Sequence, residues 1–304
     1  MKTHKLYSYL FLSAALLFAS SCTEESDPVL DESIFTRIYD NNKFNTSYSP
    51  IDIKQTSDKG YLILGSRRLA ESNFSGIYLL KVDAQGAVVS EQELDEAMVN
   101  PVGPLLVSGD KFYFFCMTTV SLQTQLAEVS QSGELGTVKD VGGSYPAAAA
   151  ADGANFILLN YDHEAKESVV SVINPAGSVL ASQGFTIGAG DAVEEPIIDH
   201  FLRTGKQLPF LVGKSGSLYY FNGFYNYTLS LVFTNLNSDT PQGVVQGQQD
   251  KGGLSSVMPL SGGKFAAARF NFGDNYLLPS VSLSSSGVSS SIDLVGNYLP
   301  ELVP

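Results

Sequence analysis

The sequence has no tryptophan, only two cysteines and only three histidines among 304 residues. Two cysteines can close at most one disulfide, so a disulfide framework is excluded. Basic residues are also scarce: 18 Lys and Arg stand against 31 Asp and Glu, and the net charge of −13 excludes the basic surface that nucleic acid binding requires. Hydrophobic residues make up 44% of the chain, which is enough for a core and excludes intrinsic disorder.

The N-terminus has the layout of an export signal. Lys2 and Lys5 precede an apolar run, Leu6 to Phe18, that is too short to span a bilayer, and three small residues then lead to Cys22. We therefore predict a signal peptide over residues 1–21. The small residues before the cysteine resemble a bacterial lipobox, with Ala19 where leucine is usual. The resemblance implies that Cys22 is lipidated; the alternative is an ordinary secretory signal in which Cys22 is incidental.

Residues 22–33 are predicted to be an acidic, solvated tether between the lipid and the folded domain. The stretch Thr23 to Asp27 resembles the acidic export tag of bacteroidete surface lipoproteins, although a spacer without signal value fits it as well. Removal of residues 1–21 leaves 16 basic and 31 acidic side chains, a balance of −15. Such a surface is repelled by anionic lipids, so the membrane is expected to be a partner only through the lipid. The expected location is the outer membrane, on its periplasmic or its exposed face.

The rest of the chain, residues 34–304, has a weak internal repeat. A turn followed by a short apolar strand recurs five times, with the strands beginning at Tyr61, Phe112, Phe156, Leu208 and Phe265. Each is preceded by another short strand; we predict these first strands at Ile51–Gln55, Val102–Val107, Pro146–Ala151, Ile197–Leu202 and Ser256–Leu260. A second turn ending in glycine follows in four units, at Gly86, Gly133, Gly177 and Gly287. No segment shows sustained helical spacing, so no helix is expected.

The glycine spacings of 47, 44 and 110 residues fit units of about 45 to 55 residues with one irregular unit. Four short strands in a unit of that length are typical of a β-propeller blade. The predicted fold is therefore all-β, a β-propeller with five blades of four strands, six being possible. An additional strand, Ile34–Tyr39, is expected to complete the last blade and close the ring, which removes an exposed edge.

The first unit resembles the blades of bacteroidete propeller lipoproteins. The resemblance lies in the segments Gln55–Gly65 and Ile77–Gly86, with Lys59 where glycine is more usual. It implies an envelope location and a scaffold, and it implies no reaction, because most such lipoproteins have no assigned activity.

Catalytic residues are hard to find in this sequence. No histidines or cysteines have metal-ligand spacing, no serine has the context of a hydrolase nucleophile, and neither a metal nor a cofactor is predicted. Cys116, within an aromatic strand, is predicted to be a buried core residue. Five-bladed propellers also host glycoside hydrolases, which need carboxylates in the central funnel. The only acidic residues on the predicted first strands are Asp52 and Asp199. Asp199 together with His200 is the best catalytic candidate.

One aromatic segment departs from the repeat. Leu218–Tyr227 is predicted to form a hairpin about Asn222-Gly223, and it carries six aromatic residues that are candidates for ligand binding: Tyr219, Tyr220, Phe221, Phe224, Tyr225 and Tyr227. The alternative is that these rings pack against a neighbouring blade. The function that follows is a lipid-anchored, non-catalytic binding or scaffolding propeller with a protein or glycan ligand. The alternative function is a glycan-active hydrolase or glycan-binding module that uses the funnel.

Overall fold

The computed structural model describes residue 39, residues 47–204 and 207–245, and three later strands, in which Met258 and Phe265 are the only side chains described. The chain divides into two compact parts, Met1–Asn42 and Lys43–Pro304. In the N-terminal part only Tyr39 is described; it is exposed and not part of a strand. The rest of the predicted closing strand, the predicted signal peptide with Cys22, the tether and Gly287 lie outside the described residues. Within the described part of the chain, no helix is long and apolar enough to cross a bilayer.

The larger part, Lys43–Pro304, is built almost entirely of strands. They are β1 Tyr48–Gln55, β2 Tyr61–Arg68, β3 Ser75–Val82, β4 Val88–Glu93, β5 Met98–Ser108, β6 Lys111–Thr118, β7 Gln123–Val129, β8 Leu135–Ser144, β9 Pro146–Asp152, β10 Asn155–Asp162, β11 Glu167–Ile173, β12 Val179–Thr186, β13 Leu211–Ser215, β14 Leu218–Tyr225, β15 Thr228–Thr234, β16 Gly243–Val245, β17 Gly252–Pro259, β18 Lys264–Asn271 and β19 Asp274–Ser282. One helix, α1, spans Asp191–Leu202 between β12 and β13.

The strands form successive antiparallel meanders. Units one to four are β1–β4, β5–β8, β9–β12 and β13–β16, and a fifth unit has the three described strands β17–β19. A single pair, Gly76 with Val99, also connects β3 to β5, so the first two units share one sheet. The first strands of neighbouring units contact one another, β1 with β5, β5 with β9 and β9 with β13. This is the arrangement of a propeller, and the predicted all-β, propeller-like fold class is confirmed.

The second turn of the repeat has the same hydrogen bonds in three units. The glycines Gly86, Gly133 and Gly177 have φ of 76°, 85° and 85°. In each case the glycine N–H donates to the carbonyl three residues earlier, that of Asp83, Ser130 or Asn174. Positive φ favours glycine because it has no Cβ, which is why glycine marks this turn in the sequence.

Neighbouring units pack through strands that are apolar on both faces. In β6, Phe112 and Phe114 contact unit one, whereas Tyr113 and Phe115 contact unit three. In β10, Phe156 and Leu158 face unit two while Ile157 and Leu159 face unit four. A strand covered on both faces gains nothing from polar alternation, which explains why these strands appear as continuous apolar runs. Phe265 continues the packing between units four and five, with its ring 4.4 Å from that of Phe233.

The predicted start of unit four is wrong. The segment expected as the strand Ile197–Leu202 belongs to α1, and the first strand of the unit is β13, which turns at Gly216. Val193, Ile197 and Phe201 are spaced by four and form the buried face of the helix. Pro196 lies inside the helix, and proline at such a position is unfavourable for a helix, so the sequence did not indicate one. Asp191 and Glu194 occupy the first turn, where acidic side chains interact favourably with the helix dipole. Arg203, with φ of 57°, ends the helix in the left-handed conformation.

Candidate functional site

The candidate site is a cleft beside the turn that joins β14 to β15. Asn226 and Tyr227 form this two-residue turn with φ of 44° and 70°. Positive φ at both central positions is the type I′ geometry that suits the twist of a hairpin. Asparagine tolerates this conformation, whereas a tyrosine in the second position is uncommon and strained. The turn therefore holds an aromatic side chain at a position where glycine would be the usual residue.

The turn is fixed to the chain that leaves β12. The Asn226 N–H donates to the Thr186 carbonyl at 3.0 Å, and the Tyr227 N–H donates to the Ile187 carbonyl at 2.7 Å. The Tyr227 ring lies directly against Gly188, where a Cβ would stand 2.6 Å from the ring atom Cδ1. Only glycine leaves room for the ring at this point, and its φ of 106° also requires glycine.

The resulting space, here called the tyrosine cleft, has a volume of about 460 Å³. Its walls are formed by Thr186, Gly188, Tyr225, Asn226, Tyr227, Asp239 and Thr240. Tyr227 is 48% exposed. Tyr225 is half-buried, with its ring edge-on to Phe185 at 6.4 Å. The cleft thus combines two aromatic faces with an exposed carboxylate, amide and hydroxyl.

The predicted aromatic hairpin is a single strand. Leu218–Tyr225 runs through Asn222-Gly223 without turning, as β14, because both faces of the segment are covered. Three of the six candidates belong to the core: Phe221 packs with units three and four, Tyr220 contacts Phe233 and Phe265, and Phe224 contacts the α1 cluster. The packing alternative of the sequence analysis therefore holds for these three residues.

Tyr219 has a different structural partner. Its hydroxyl donates to Asp152 Oδ2 at 3.1 Å, and Lys214 Nζ contacts both oxygens of the same carboxylate at 2.8 Å. Lys214 also lies over the Tyr219 ring, 4.7 Å from its centroid. The ion pair raises the pKa of Lys214. This group joins the β9–β10 turn to β13 and β14, so Tyr219 is part of the contact between units three and four. Of the six candidates, Tyr225 and Tyr227 line the cleft.

The catalytic candidates are engaged in structural contacts. Asp52 Oδ2 accepts a hydrogen bond from the Leu105 N–H at 2.9 Å and lies 3.2 Å from Lys54 Nζ. Asp199 belongs to α1, and its Oδ1 accepts the Thr204 hydroxyl at 2.8 Å. The predicted position of Asp199 on an innermost strand is therefore wrong, and neither carboxylate lines the tyrosine cleft.

His200 is also part of α1 and is held there by its surroundings. Its Nδ1 accepts the Leu208 N–H at 2.9 Å, and its ring meets Phe210 edge-on at 4.8 Å. Burial, with a smaller effect from Arg203, lowers the pKa of His200 to about 4. The imidazole is therefore neutral near pH 7 and stabilises the connection from α1 to β13.

Cys116 is fully buried in β6, as predicted, and is a free thiol. Burial raises its pKa to about 12, so the thiolate required for reaction is not formed near neutral pH. Among the described residues no three His, Cys, Asp or Glu side chains lie close enough to hold a metal ion.

Sequence reasoning missed Asp239 and Thr240 in the cleft. They lie in the loop between β15 and β16, and nothing in their local sequence relates them to the β14–β15 turn. The β14–β15 turn beside the cleft could have been predicted from the Asn226-Tyr227 pair, since asparagine between two β-rich segments favours a type I′ turn.

Comparison with known proteins finds similarity among the solved structures. No family model matches the chain. No curated protein matches it either. Among solved structures, it is similar to a mutant of the apocarotenoid oxygenase of Synechocystis, with 12% identity, a TM-score of 0.43 and coverage of 83% of this chain and 62% of that one.

A protein of unknown function from Bacteroides caccae is a second similar structure. It has 13% identity, a TM-score of 0.41 and coverage of 82% of both chains. The present chain spans about three-fifths of the length of the Synechocystis enzyme. At such low identity and TM-score, these likenesses carry no argument about activity.

Proposed function

We propose that the protein is an exported lipoprotein of the bacteroidete propeller type, anchored to the outer membrane through Cys22, that binds a saccharide in the tyrosine cleft without chemical conversion. The position of Cys22 after a basic start, a short apolar run and three small residues supports the anchor. The surface charge supports a lipid anchor over electrostatic attachment, since an acidic domain is repelled by anionic lipids.

The observation that carries the binding proposal is the exposed Tyr227 ring on a strained turn. A non-glycine residue at positive φ costs of order 1 kcal/mol or more, and such strain is concentrated at functional sites. Here the strained residue is 48% exposed, and its ring lies against Gly188 at the wall of a cleft. A buried ring would offset the strain through packing, but an exposed ring offsets little of it. Contact with a ligand accounts for a tyrosine at this position.

The composition of the cleft favours a saccharide. A sugar ring has an apolar C–H face and an edge of hydroxyl groups. The Tyr225 and Tyr227 rings supply an apolar, amphipathic surface for the face. Asp239, Asn226 and Thr240 supply acceptors and donors for the hydroxyl groups. A volume of about 460 Å³ lies within the range of about 300–1,000 Å³ usual for small-ligand sites.

Binding is favoured over hydrolysis because the cleft has too few carboxylates. Glycoside hydrolysis by the usual mechanisms needs two carboxyl groups about 5–9.5 Å apart across the scissile bond. Asp239 is the one acidic side chain among the described residues that line the tyrosine cleft. A single carboxylate can orient a hydroxyl group but cannot supply both the acid and its partner.

The binding test uses the protein expressed from its full sequence and purified in a detergent without a sugar headgroup. Saturation-transfer NMR would be recorded with a panel of neutral hexasaccharides derived from cellulose, starch, mannan and chitin. We expect at least one to bind the wild type and to lose about tenfold in affinity with Tyr227→Ala, because stacking on one ring contributes roughly 1–1.5 kcal/mol. Tyr61→Ala is the control, since Tyr61 is an exposed tyrosine outside the cleft. Equal affinity in the two variants, or no binding by any hexasaccharide, would refute the proposal.

The anchor is tested separately by growth of an expressing bacterial strain with labelled palmitate. The wild type should incorporate the label and fractionate with the outer membrane, whereas Cys22→Ala should do neither. Cys116→Ala is the matched control and should label normally, because Cys116 is buried in the domain. Label in Cys22→Ala equal to that in the wild type would contradict lipidation at Cys22.

A further inference from the structure

A second cleft, of about 650 Å³, lies at one end of unit one. Arg67, Arg68 and Arg203 border it, and we call it the arginine cleft. The whole chain has five arginines, so three of the five converge on this one space in a strongly acidic protein. The remaining wall is mainly polar; it includes the serines Ser47, Ser49, Ser66, Ser72 and Ser75 together with Asn73. Its volume is in the range of small-molecule sites.

Two distant parts of the chain supply the arginines, and one buried side chain ties them together. Arg67 and Arg68 end β2, whereas Arg203 follows α1. Asn100 Oδ1 accepts the Ser75 N–H at 2.9 Å, and its Nδ2 donates to the Phe201 carbonyl at 2.8 Å. Asn100 is 3% exposed and has a φ of 51°. It therefore fixes the loop after β2 against the end of α1, and with it the spacing of the two arginine groups.

Arg67 forms the floor of the cleft. Its Nη2 lies 3.1 Å from Glu96 and its Nε lies 3.7 Å from Glu93. The stem passes over Gly76, where a Cβ would stand 3.0 Å from Arg67 Cγ. The Nε is buried and makes no hydrogen bond to a described residue. The position of this guanidinium is thus defined by packing, and its charge is largely balanced by the two glutamates.

Arg68 and Arg203 are exposed at the rim and differ from Arg67 in their partners. Within the described residues neither is in an ion pair with a carboxylate. Arg203 Nη1 donates to the amide oxygen of Gln207, a neutral partner. Glu71 is the one acidic residue among the described lining of the cleft. Two arginines against one glutamate leave the rim with an excess of one positive charge, on a chain whose net charge is −13.

We propose that the arginine cleft binds an oxyanion group, a carboxylate, sulfate or phosphate, carried by a small polar ligand. The guanidinium groups of Arg68 and Arg203 would bind the oxyanion, since their planar N–H pairs match its oxygens in a bidentate way. The serine hydroxyls provide further hydrogen bonds to polar parts of the ligand. This site is separate from the tyrosine cleft, and the inference does not rest on the saccharide proposal.

The small number of arginines permits a direct experiment. The full-length protein is labelled with ¹⁵N-arginine, so that five Nε–H signals are expected, and Arg→Gln variants assign them. Sodium glucuronate, sodium sulfate and sodium phosphate are titrated separately at constant ionic strength. We expect at least one of them to shift the Arg68 and Arg203 signals with a saturating dependence. The three anions distinguish among the chemical sources of the oxyanion.

The variants complete the test. Arg68→Gln and Arg203→Gln, both at exposed positions, should each weaken the binding of that anion about tenfold, which is the loss of one charged hydrogen-bonding group. Asn100→Ala should weaken it less, by displacing one arginine from the other. Lys111→Gln removes the same charge outside the cleft and should change nothing, and Tyr227→Ala should also bind normally. Shifts of all five signals without saturation, or equal affinity in Arg68→Gln and Lys111→Gln, would overturn the proposal.

Discussion

Lys81 shows how a single charge is accommodated inside this fold. Its side chain is 1% exposed, and its ammonium group lies 2.9 Å and 3.1 Å from the two oxygens of Asp58. A third hydrogen bond, of 2.9 Å, is donated to the Val82 carbonyl. Burial of an ammonium group is costly unless it is paired and hydrogen-bonded. Asp58, which is mostly exposed, therefore connects a buried cation to the surface of the β1–β2 turn.

The Asp58 carboxylate should make the stability of the protein depend on pH in the acid range. Hydrogen bonds from Thr56, Lys81 and the Gly60 N–H lower the pKa of Asp58 from 3.8 to about 2. A lowered pKa means that the stabilisation is complete above pH 4 and is lost as the pH falls from about 4 to 2. Urea unfolding at pH 6 and pH 3 should show a smaller loss for Asp58→Asn than for the wild type. Glu164→Gln, an exposed control, should lose as much as the wild type; an unchanged loss in Asp58→Asn would contradict the pairing.

Sequence reasoning was reliable for residues whose surroundings are set by their own strand. Cys116 lies in an apolar run, and the run alone predicted its burial. Asp199 and His200 were misplaced because their role depends on whether the segment is a strand or a helix. The arginine cleft gave no signal, since Arg68 and Arg203 are 135 positions apart and are brought together by tertiary packing.

At the scale of elements, turns were predicted better than the elements that depart from the repeat. Gly86, Gly133 and Gly177 mark a turn in which the backbone requires positive φ, so one local rule identifies all three. The helix α1 is short and contains Pro196, and the apolar side chains of its buried face are stabilised by contacts with Tyr161, Phe224 and Leu229. Tyr161 belongs to unit three, and Phe224 and Leu229 belong to unit four, so no local pattern in α1 reveals these contacts.

The β14–β15 turn should show a separation of stability from binding. Glycine adopts a φ of 70° without the strain that Tyr227 carries. Tyr227→Gly should therefore have a free energy of unfolding equal to that of the wild type or up to about 1 kcal/mol higher in urea, because the relief of strain exceeds the lost contact with Gly188. The same variant should lose binding of the hexasaccharide that the wild type binds. Tyr225→Gly is the comparison and should be destabilised, since Tyr225 is half-buried on Phe185; equal destabilisation of the two variants would contradict the strain at Tyr227.

At the scale of the whole molecule, the units are joined by cores that lie between neighbouring sheets. Phe114 is fully buried between units one and two, and Phe221 is fully buried between units three and four. The continuous apolar runs of β6 and β10 reflect this packing, because each strand is covered on both faces. The strands of unit four that pack against unit three were not predictable, because α1 occupies the segment expected as the first strand and that strand begins instead at Leu211.

This packing predicts one cooperative unfolding transition for units one to four. Phe114→Ala and Phe221→Ala should each lower the free energy of unfolding by about 3–5 kcal/mol, because each leaves a cavity in a closed interface. Far-UV circular dichroism and tyrosine fluorescence should give the same midpoint in each variant, and without tryptophan the tyrosine signal is observed directly. Two separate transitions in either variant would show that the units unfold independently.

The central claim is that ligand contact explains the exposed tyrosine on the strained turn. The direct measurement is a ¹³C NMR spectrum of the full-length protein labelled at the tyrosine rings, recorded during titration with the hexasaccharide that binds most tightly, with Tyr227→Phe and Tyr225→Phe used for assignment. The account predicts saturating shifts of the Tyr227 and Tyr225 ring signals, while those of Tyr61 and the fully packed Tyr220 stay unchanged. Saturating binding that leaves the Tyr227 ring signals in place would contradict it.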